Sequence, residues 1–331
     1  MSAAGRKFEE FDRSRLKIAP LNARKHGLDI RCITALEPRT RVSKNLRTVA
    51  KRIAAAHIRS SAVVLMMGAH VIRSGVQRYV IDMVERGFIS CVALNGAGVI
   101  HDFELALFGA TTENVAYYIR DGRFGLWQET GQINDIVKEG VKKGMGLGEC
   151  VGAAIAEEKF PQADLSILGS ARRCGVPVTV HVGIGYDIIA EHPNYDGAAF
   201  GEASYRDFLR LVKVMESLEG GVVMNFGSAV MGPEVYLKAL AMVRNAAAQQ
   251  GRRIANFTTL VCDLKELPET YHIQPTDGDD GYHFRPWKTM LVRTVAEGGE
   301  SFYVQGRHEQ TIPELWTAIT SETRKNRRGR I

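Results

Sequence analysis

Two strand-to-helix turns follow one another over residues 62–109, and they leave this chain few folds to choose from. The first runs from Ala62-Val63-Val64-Leu65-Met66-Met67 into Gly68-Ala69-His70-Val71-Ile72-Arg73-Ser74-Gly75; the second runs from Ile89-Ser90-Cys91-Val92-Ala93-Leu94 into Asn95-Gly96-Ala97-Gly98-Val99-Ile100-His101-Asp102. Both apolar runs lack alternation, as strands buried on both faces do. Between them Val76, Tyr79, Val80, Met83 and Val84 recur at helical spacing. The unit is therefore β-α-β, and residues just past its strand ends line the crevice where such sheets bind ligands. Glycines at 96 and 98 let backbone approach a pyrophosphate or ribose. The third glycine and the acidic residue of a full dinucleotide fingerprint are missing, so a tight turn without ligand stands beside that reading.

The pattern continues. Ser43 caps a helix to about residue 57. A short helical stretch is expected at 103–108, and helices at 127–141, 148–160, 205–218, 233–249 and 313–322. Strands are expected at 175–182, 221–225 and 255–261, with two more at 290–295 and 301–304. Alternating strands and helices predict an α/β, doubly wound, mainly parallel sheet with a Rossmann-like core. A length of 331 residues suits one such domain. The expected division is a basic N-terminal arm over 1–40, a single α/β domain over 41–323 and a basic tail over 324–331.

The net charge of +6 divides unevenly. Residues 1–60 hold 15 Lys/Arg against 5 acids, and Arg324 to Arg330 add five basics, so residues 61–323 carry 23 basic against 32 acidic groups. An acidic body attracts cations, or serves only as solubilising surface. The basic ends lack interleaved aromatics, so no nucleic-acid partner is expected. No apolar run reaches the roughly 18 residues of a membrane span, and the polar start is unlike a signal peptide, which predicts a cytoplasmic protein with no membrane partner. Five scattered cysteines indicate neither disulfides nor zinc, and no metal is expected.

Several residues could carry chemistry. His101 and Asp102 follow the glycine turn towards the crevice; Asp187 reaches it from the third strand and Ser228 from the fourth. The loop Asp277-Gly278-Asp279-Asp280 lacks calcium-loop spacing. Beside Tyr282 and Trp287 its carboxylates suit an ammonium group, or form a solvated turn. Lys288 follows Trp287 directly, and a lysine partly out of water can become a nucleophile.

Together these stretches resemble the deoxyhypusine synthase family, including its bacterial deoxyhypusine-synthase-like branch, over roughly residues 60–320. Ala69 to Gly75 is similar to the family's first nicotinamide-cofactor loop, and Asn95-Gly96-Ala97-Gly98-Val99 to its Thr-Ala-Gly-Gly-Val loop. Gly185-Tyr186-Asp187 resembles the Gly-Asp stretch that faces the polyamine, and Gly220 to Val223 resembles its Gly-Gly-Val-Val strand. Asp277-Gly278 with Arg285-Pro286 is similar to the Asp-Gly-Ser to Ala-Arg-Pro loop, and Trp287-Lys288 to Trp-Gly-Lys, whose lysine is the family's nucleophile. Departures fall around the substrate: paired glutamates read Ile100-His101, His-His reads Asn225-Phe226, a late Gly-Asp reads Gly306-Arg307, and several residues before Trp287 are missing.

The resemblance implies an NAD-dependent transferase moving an aminobutyl group from a polyamine such as spermidine, through an imine on the enzyme lysine, to an acceptor amine that could be a protein lysine. It also implies a homotetramer. Catalytic roles would fall to Lys288, His101 and Asp102, and substrate contacts to Asp187, Trp287, Asp280 and Asn225. Cofactor contacts would come from His70, Val71, Ile72, Arg73, Ser74, Asn95, Gly96, Ala97, Ser228 and Asp263. A homospermidine-type or other NAD-linked amine enzyme, and a nucleotide-binding protein without turnover, are the alternatives.

Overall fold

The computed structural model describes residues 8–328 except Lys159 and Asp280, with side chains through residue 323. In chain order its elements begin with β1 (Leu28–Asp29), α1 (Lys44–Arg59), β2 (Val63–Met67), α2 (Ala69–Arg73), α3 (Gln77–Glu85), β3 (Cys91–Asn95) and α4 (Gly96–Phe108). Next come β4 (Ala110–Thr111), α5 (Val115–Tyr118), α6 (Gln132–Lys142), α7 (Leu147–Glu157), α8 (Ile167–Arg173), β5 (Val178–His181) and α9 (Gly197–Met215). The chain then forms β6 (Val222–Phe226), α10 (Met231–Ala248), β7 (Thr258–Asp263), a π-helix over Trp287–Arg293, β8 (Glu300–Gln305) and α11 (His308–Arg328).

Six strands pair in the order β5-β3-β2-β6-β7-β8, every neighbouring pair parallel. Counted along the chain, this order is 3-2-1-4-5-6, that of a Rossmann fold. The order reverses between β2 and β6, and at such a reversal neighbouring loops part to opposite faces and open a crevice at the strands' carboxyl ends.

Strand alternation builds both layers of core. Val63, Leu65 and Met67 of β2 face one layer, which α1, α3, α4, α7 and α11 cover; Val64 and Met66 face the other, covered by α9, α10 and the π-helix. Each buried Val, Leu or Ile contributes about 1.5–3 kcal/mol, so the double-sided run is the strongest determinant of the fold. Ser43 caps α1, its hydroxyl accepting from the amide of Leu46 at 3.2 Å. No helix among the described residues is long and apolar enough to cross a membrane.

Two expectations need correction. Residues 290–295, expected as a strand, lie in and just after the π-helix. Since β8 runs parallel to β7, the chain must return over a face of the sheet, and Trp287, Met290, Leu291 and Val295 are buried at helical rather than alternating spacing. The helix expected at 103–108 starts at Gly96, so the glycine turn is its first turn. The N-terminal segment packs on its own chain: Leu21 sits in a small core with Tyr118 and Trp127, and Ala19 bridges to Trp127.

Candidate functional site

At the carboxyl end of β3 the Asn95 side chain caps α4, accepting from the Gly98 amide at 3.0 Å. Gly96 is required by a close approach: a β-carbon there would lie 2.1 Å from the Asp187 carboxylate, which descends from the loop after β5. One Asp187 oxygen accepts from the backbone of Ala97, while Oδ1 is buried with no partner. Burial pushes the Asp187 carboxyl up to about 6, against that Ala97 bond. Asp187, His101, Ala97 and Arg73 line a pocket of about 370 Å³, together with Arg24, Glu104, Glu113 and Tyr186.

His101 is held from below. Its Nδ1 lies 2.7 Å from the Thr111 hydroxyl, which donates to Glu104 at 2.7 Å. Glu104 also receives Thr130 at 2.6 Å and both terminal nitrogens of Arg24, at 2.9 and 2.6 Å. The Arg24 and Glu104 side chains are each only 1% exposed. Burial lowers the His101 imidazole to about 4; Glu104 opposes this shift, and Arg73, Arg24 and His70 add to it.

The crevice at the β2–β6 reversal is built from backbone. A β-carbon on Gly68 would come within 2.5 Å of the Gly227 carbonyl, and Gly227, at φ +69°, lies against the His308 ring. Asn225 donates to the Ser228 carbonyl at 2.8 Å, and the Ser228 hydroxyl accepts from the Gly232 amide at 2.8 Å. Asp263 accepts from the Lys265 amide. Four buried polar atoms along this carboxyl edge have no hydrogen-bond partner among the described residues: Arg73 Nε, Asn225 Oδ1, His308 Nδ1 and Asp187 Oδ1. Buried polar groups without a partner in the chain can take a water, an ion or a ligand, and six further atoms of this kind lie elsewhere among the described residues.

The expected site residues do not all meet. Val71 and Ile72 are fully buried in core, leaving only their backbone to the crevice. His70 stands exposed on α2, 3.3 Å from Arg73, and Ser74 bonds back to the His70 carbonyl. Asp102, though next to His101, is turned to α8, accepting from the Ser166 hydroxyl and the Ile167 and Leu168 amides. Burial raises it to about 6, with those bonds opposing. Trp287 is a core residue, its indole donating to the Ile273 carbonyl at 3.1 Å and its ring filling space that Gly281 leaves free. Lys288 is buried with Nζ 3.5 Å from the Tyr282 ring centre, and it is not among the residues lining the His101–Asp187 pocket. Asp280 lies outside the described residues.

Sequence reasoning missed Arg24, Glu104 and Thr111. Glu104 stands three residues after His101 on one helix, a spacing that puts both on one face. Arg24 comes from 80 residues away with no local signal.

Strand order and crevice define a Rossmann-type α/β protein. A sequence model of the family described as arginine dihydrolase ArgZ-like, C-terminal, Rossmann fold matches residues 47–175. No protein of curated function matches the chain by sequence. Among solved structures, unliganded AgrE aligns with a TM-score of 0.53 and 12% identity, over 87% of this chain and 34% of AgrE. The LOR/SDH protein of Methanococcus maripaludis S2 aligns at 0.50 and 14%, over 88% of this chain and 74% of that one. ArgZ, an arginine dihydrolase from the ornithine-ammonia cycle in cyanobacteria, aligns at 0.50 and 12%, over 85% and 33%. Such identities show a shared fold alone, and the chain spans about a third of the length of ArgZ and AgrE. The deoxyhypusine synthase resemblance meets a protein of that description from Entamoeba histolytica at a TM-score of only 0.39 and 9% identity, over 84% of this chain and 88% of that one.

Proposed function

We propose that the protein is an NAD-linked enzyme acting on a small cationic amine, with the dinucleotide along the β2–β6 crevice and the ammonium group in the adjoining pocket at Asp187. The observation that carries this reading is the row of unpartnered buried polar atoms, Arg73 Nε, Asn225 Oδ1, His308 Nδ1 and Asp187 Oδ1, along the carboxyl edge. A dinucleotide offers phosphate oxygens, ribose hydroxyls and an amide, donors and acceptors both, which suits that mixed set. Residues 68–74, Gly96, Ala97, Ser228 and Asp263 would hold it, and when bound it supplies a hydride acceptor. This chain's own residues bind and orient: Asp187, buried and lacking a partner at Oδ1, gains most from an ammonium group. Arginine, the substrate in the ArgZ-like family's description, belongs to that chemical class.

A second reading, transfer of an aminobutyl group from a polyamine such as spermidine through Lys288, is favoured by one observation: the Lys288 ammonium is buried against an aromatic face. Calorimetry with NAD+ and then 1,4-diaminobutane, followed by absorbance of the reduced cofactor, tests the first reading. Binding of both with cofactor reduction supports it; no NAD+ binding with or without amine removes it. Borohydride trapping of an adduct on Lys288 would move the transfer reading ahead.

A further inference from the structure

We infer that Arg24, Glu104 and Thr111 form a positioning relay that fixes the proton of His101 on Nδ1, making Nε2 a permanent hydrogen-bond acceptor for an N–H donor in the pocket. The inference deepens the proposed amine function and rests on it only for the identity of the donor.

Counting protons gives the assignment. Arg24 grips Glu104 through two nitrogens, so Glu104 stands as a carboxylate and can only accept. All four of its contacts are then donations: two from Arg24, one from Thr130 and one from Thr111. Thr111 has a single hydroxyl proton, and it is committed to Glu104. Towards His101, 2.7 Å away, the same oxygen can only accept, so Nδ1 must carry the proton. Nε2 is left as a lone pair, with no hydrogen-bond partner among the described residues, on a ring that lines the pocket. The low imidazole pKa, about 4, keeps this form across neutral pH.

The consequence is selectivity. Asp187 Oδ1 and His101 Nε2 are both acceptors, so these two positions suit an ammonium or amine N–H and give a carboxylate or carbonyl nothing to pair with, while Arg73, which also lines the pocket, remains a donor. Had Thr111 been free to donate, His101 could present an N–H instead and the discrimination would be lost. Arg24 ties the relay to the N-terminal segment, so the pocket depends on residues far outside the β-α-β unit.

Long-range proton–nitrogen NMR of the full chain, labelled at histidine and with His101→Gln to assign the signal, reads the tautomer directly. The expected spectrum shows His101 protonated on Nδ1 in the unaltered protein. Thr111→Val should shift the majority to Nε2–H, and Thr111→Ser should restore the original form. An Nε2–H majority in the unaltered protein, or an unchanged tautomer in Thr111→Val, overturns the inference. The spectrum reports the ring proton and not turnover, so failure of NAD+ or diaminobutane to bind would count against the proposed function while leaving this result intact.

Discussion

The two halves of the sheet use the same strand physics and end differently. Beyond β3 and β5 the chain leaves a pocket of about 370 Å³ whose titratable groups sit out of water, with Asp187 at about 6 and His101 at about 4. Beyond β7 the long return to β8 packs down instead: Trp287 fills the space over Gly281, and Lys288 rests on Tyr282. The pocket keeps Asp187 Oδ1 without a partner among the described residues, whereas the return to β8 turns its polar groups on its own chain, as the Trp287 indole does on the Ile273 carbonyl. Perturbed ionisation in a cleft supports the first as the proposed site, whereas burial of a lysine on a ring serves packing as readily as reaction.

The contrast can be broken most severely at Arg24. Arg24→Ala leaves the Glu104 carboxylate buried without its cation, and the expected loss is about 3–5 kcal/mol of stability, measured by urea unfolding. An ion pair there worth under about 1 kcal/mol would mean that the first half is not organised around a buried charge. Asp187→Asn is next. It should weaken 1,4-diaminobutane binding by about 2–5 kcal/mol, the range for losing one member of a buried charge pair, and leave NAD+ affinity within a few fold. Equal loss of both ligands would place Asp187 in the cofactor site.

The pH dependence sharpens the same point. Asp187 binds an ammonium only when ionised, and burial has raised its pKa to about 6. Amine affinity should therefore hold above pH 6 and fall as the carboxylate takes up a proton below it, tenfold for each further unit at the steepest. Calorimetry at pH 5 and pH 7.5 checks the sign, and tighter binding at pH 5 would contradict it. Smallest is the effect of Lys288→Met, a swap of similar length inside packed surroundings: NAD+ and amine binding are expected to stay within a few fold. A loss of turnover together with a borohydride-trapped Lys288 adduct in the unaltered protein would shift the reacting centre to the second half.

Much of this fold was legible because double-sided burial writes unalternating apolar runs, and Val63 to Met67 and Cys91 to Leu94 are such runs. Residues 290–295 misled because Met290-Leu291-Val292 with Val295 reads as a short apolar run despite Arg293 and Thr294; only the parallel pairing of β8 with β7 shows that this stretch must cross a face. At the site, Asp187 and His101 were visible as polar residues past strand ends. Asp102 looked equivalent to His101, yet one step along a helix turns a side chain by about 100°, and its carboxylate caps α8 instead. Arg24 was invisible because it meets Glu104 only through long-range packing of an irregular segment, and Thr111, seven residues after Glu104, because nothing local shows that the chain turns back at β4 to bring its hydroxyl to that carboxylate.

The central claim is that a dinucleotide and an amine occupy neighbouring sites on the carboxyl edge. Isothermal titration of NAD+ into the full chain, repeated with 1,4-diaminobutane present and again with Asp187→Asn, tests it most directly. The account predicts NAD+ binding in both proteins, and an amine heat that appears in the unaltered chain and is lost in Asp187→Asn. Absence of NAD+ binding under every condition, or amine binding that survives Asp187→Asn unchanged, would contradict it.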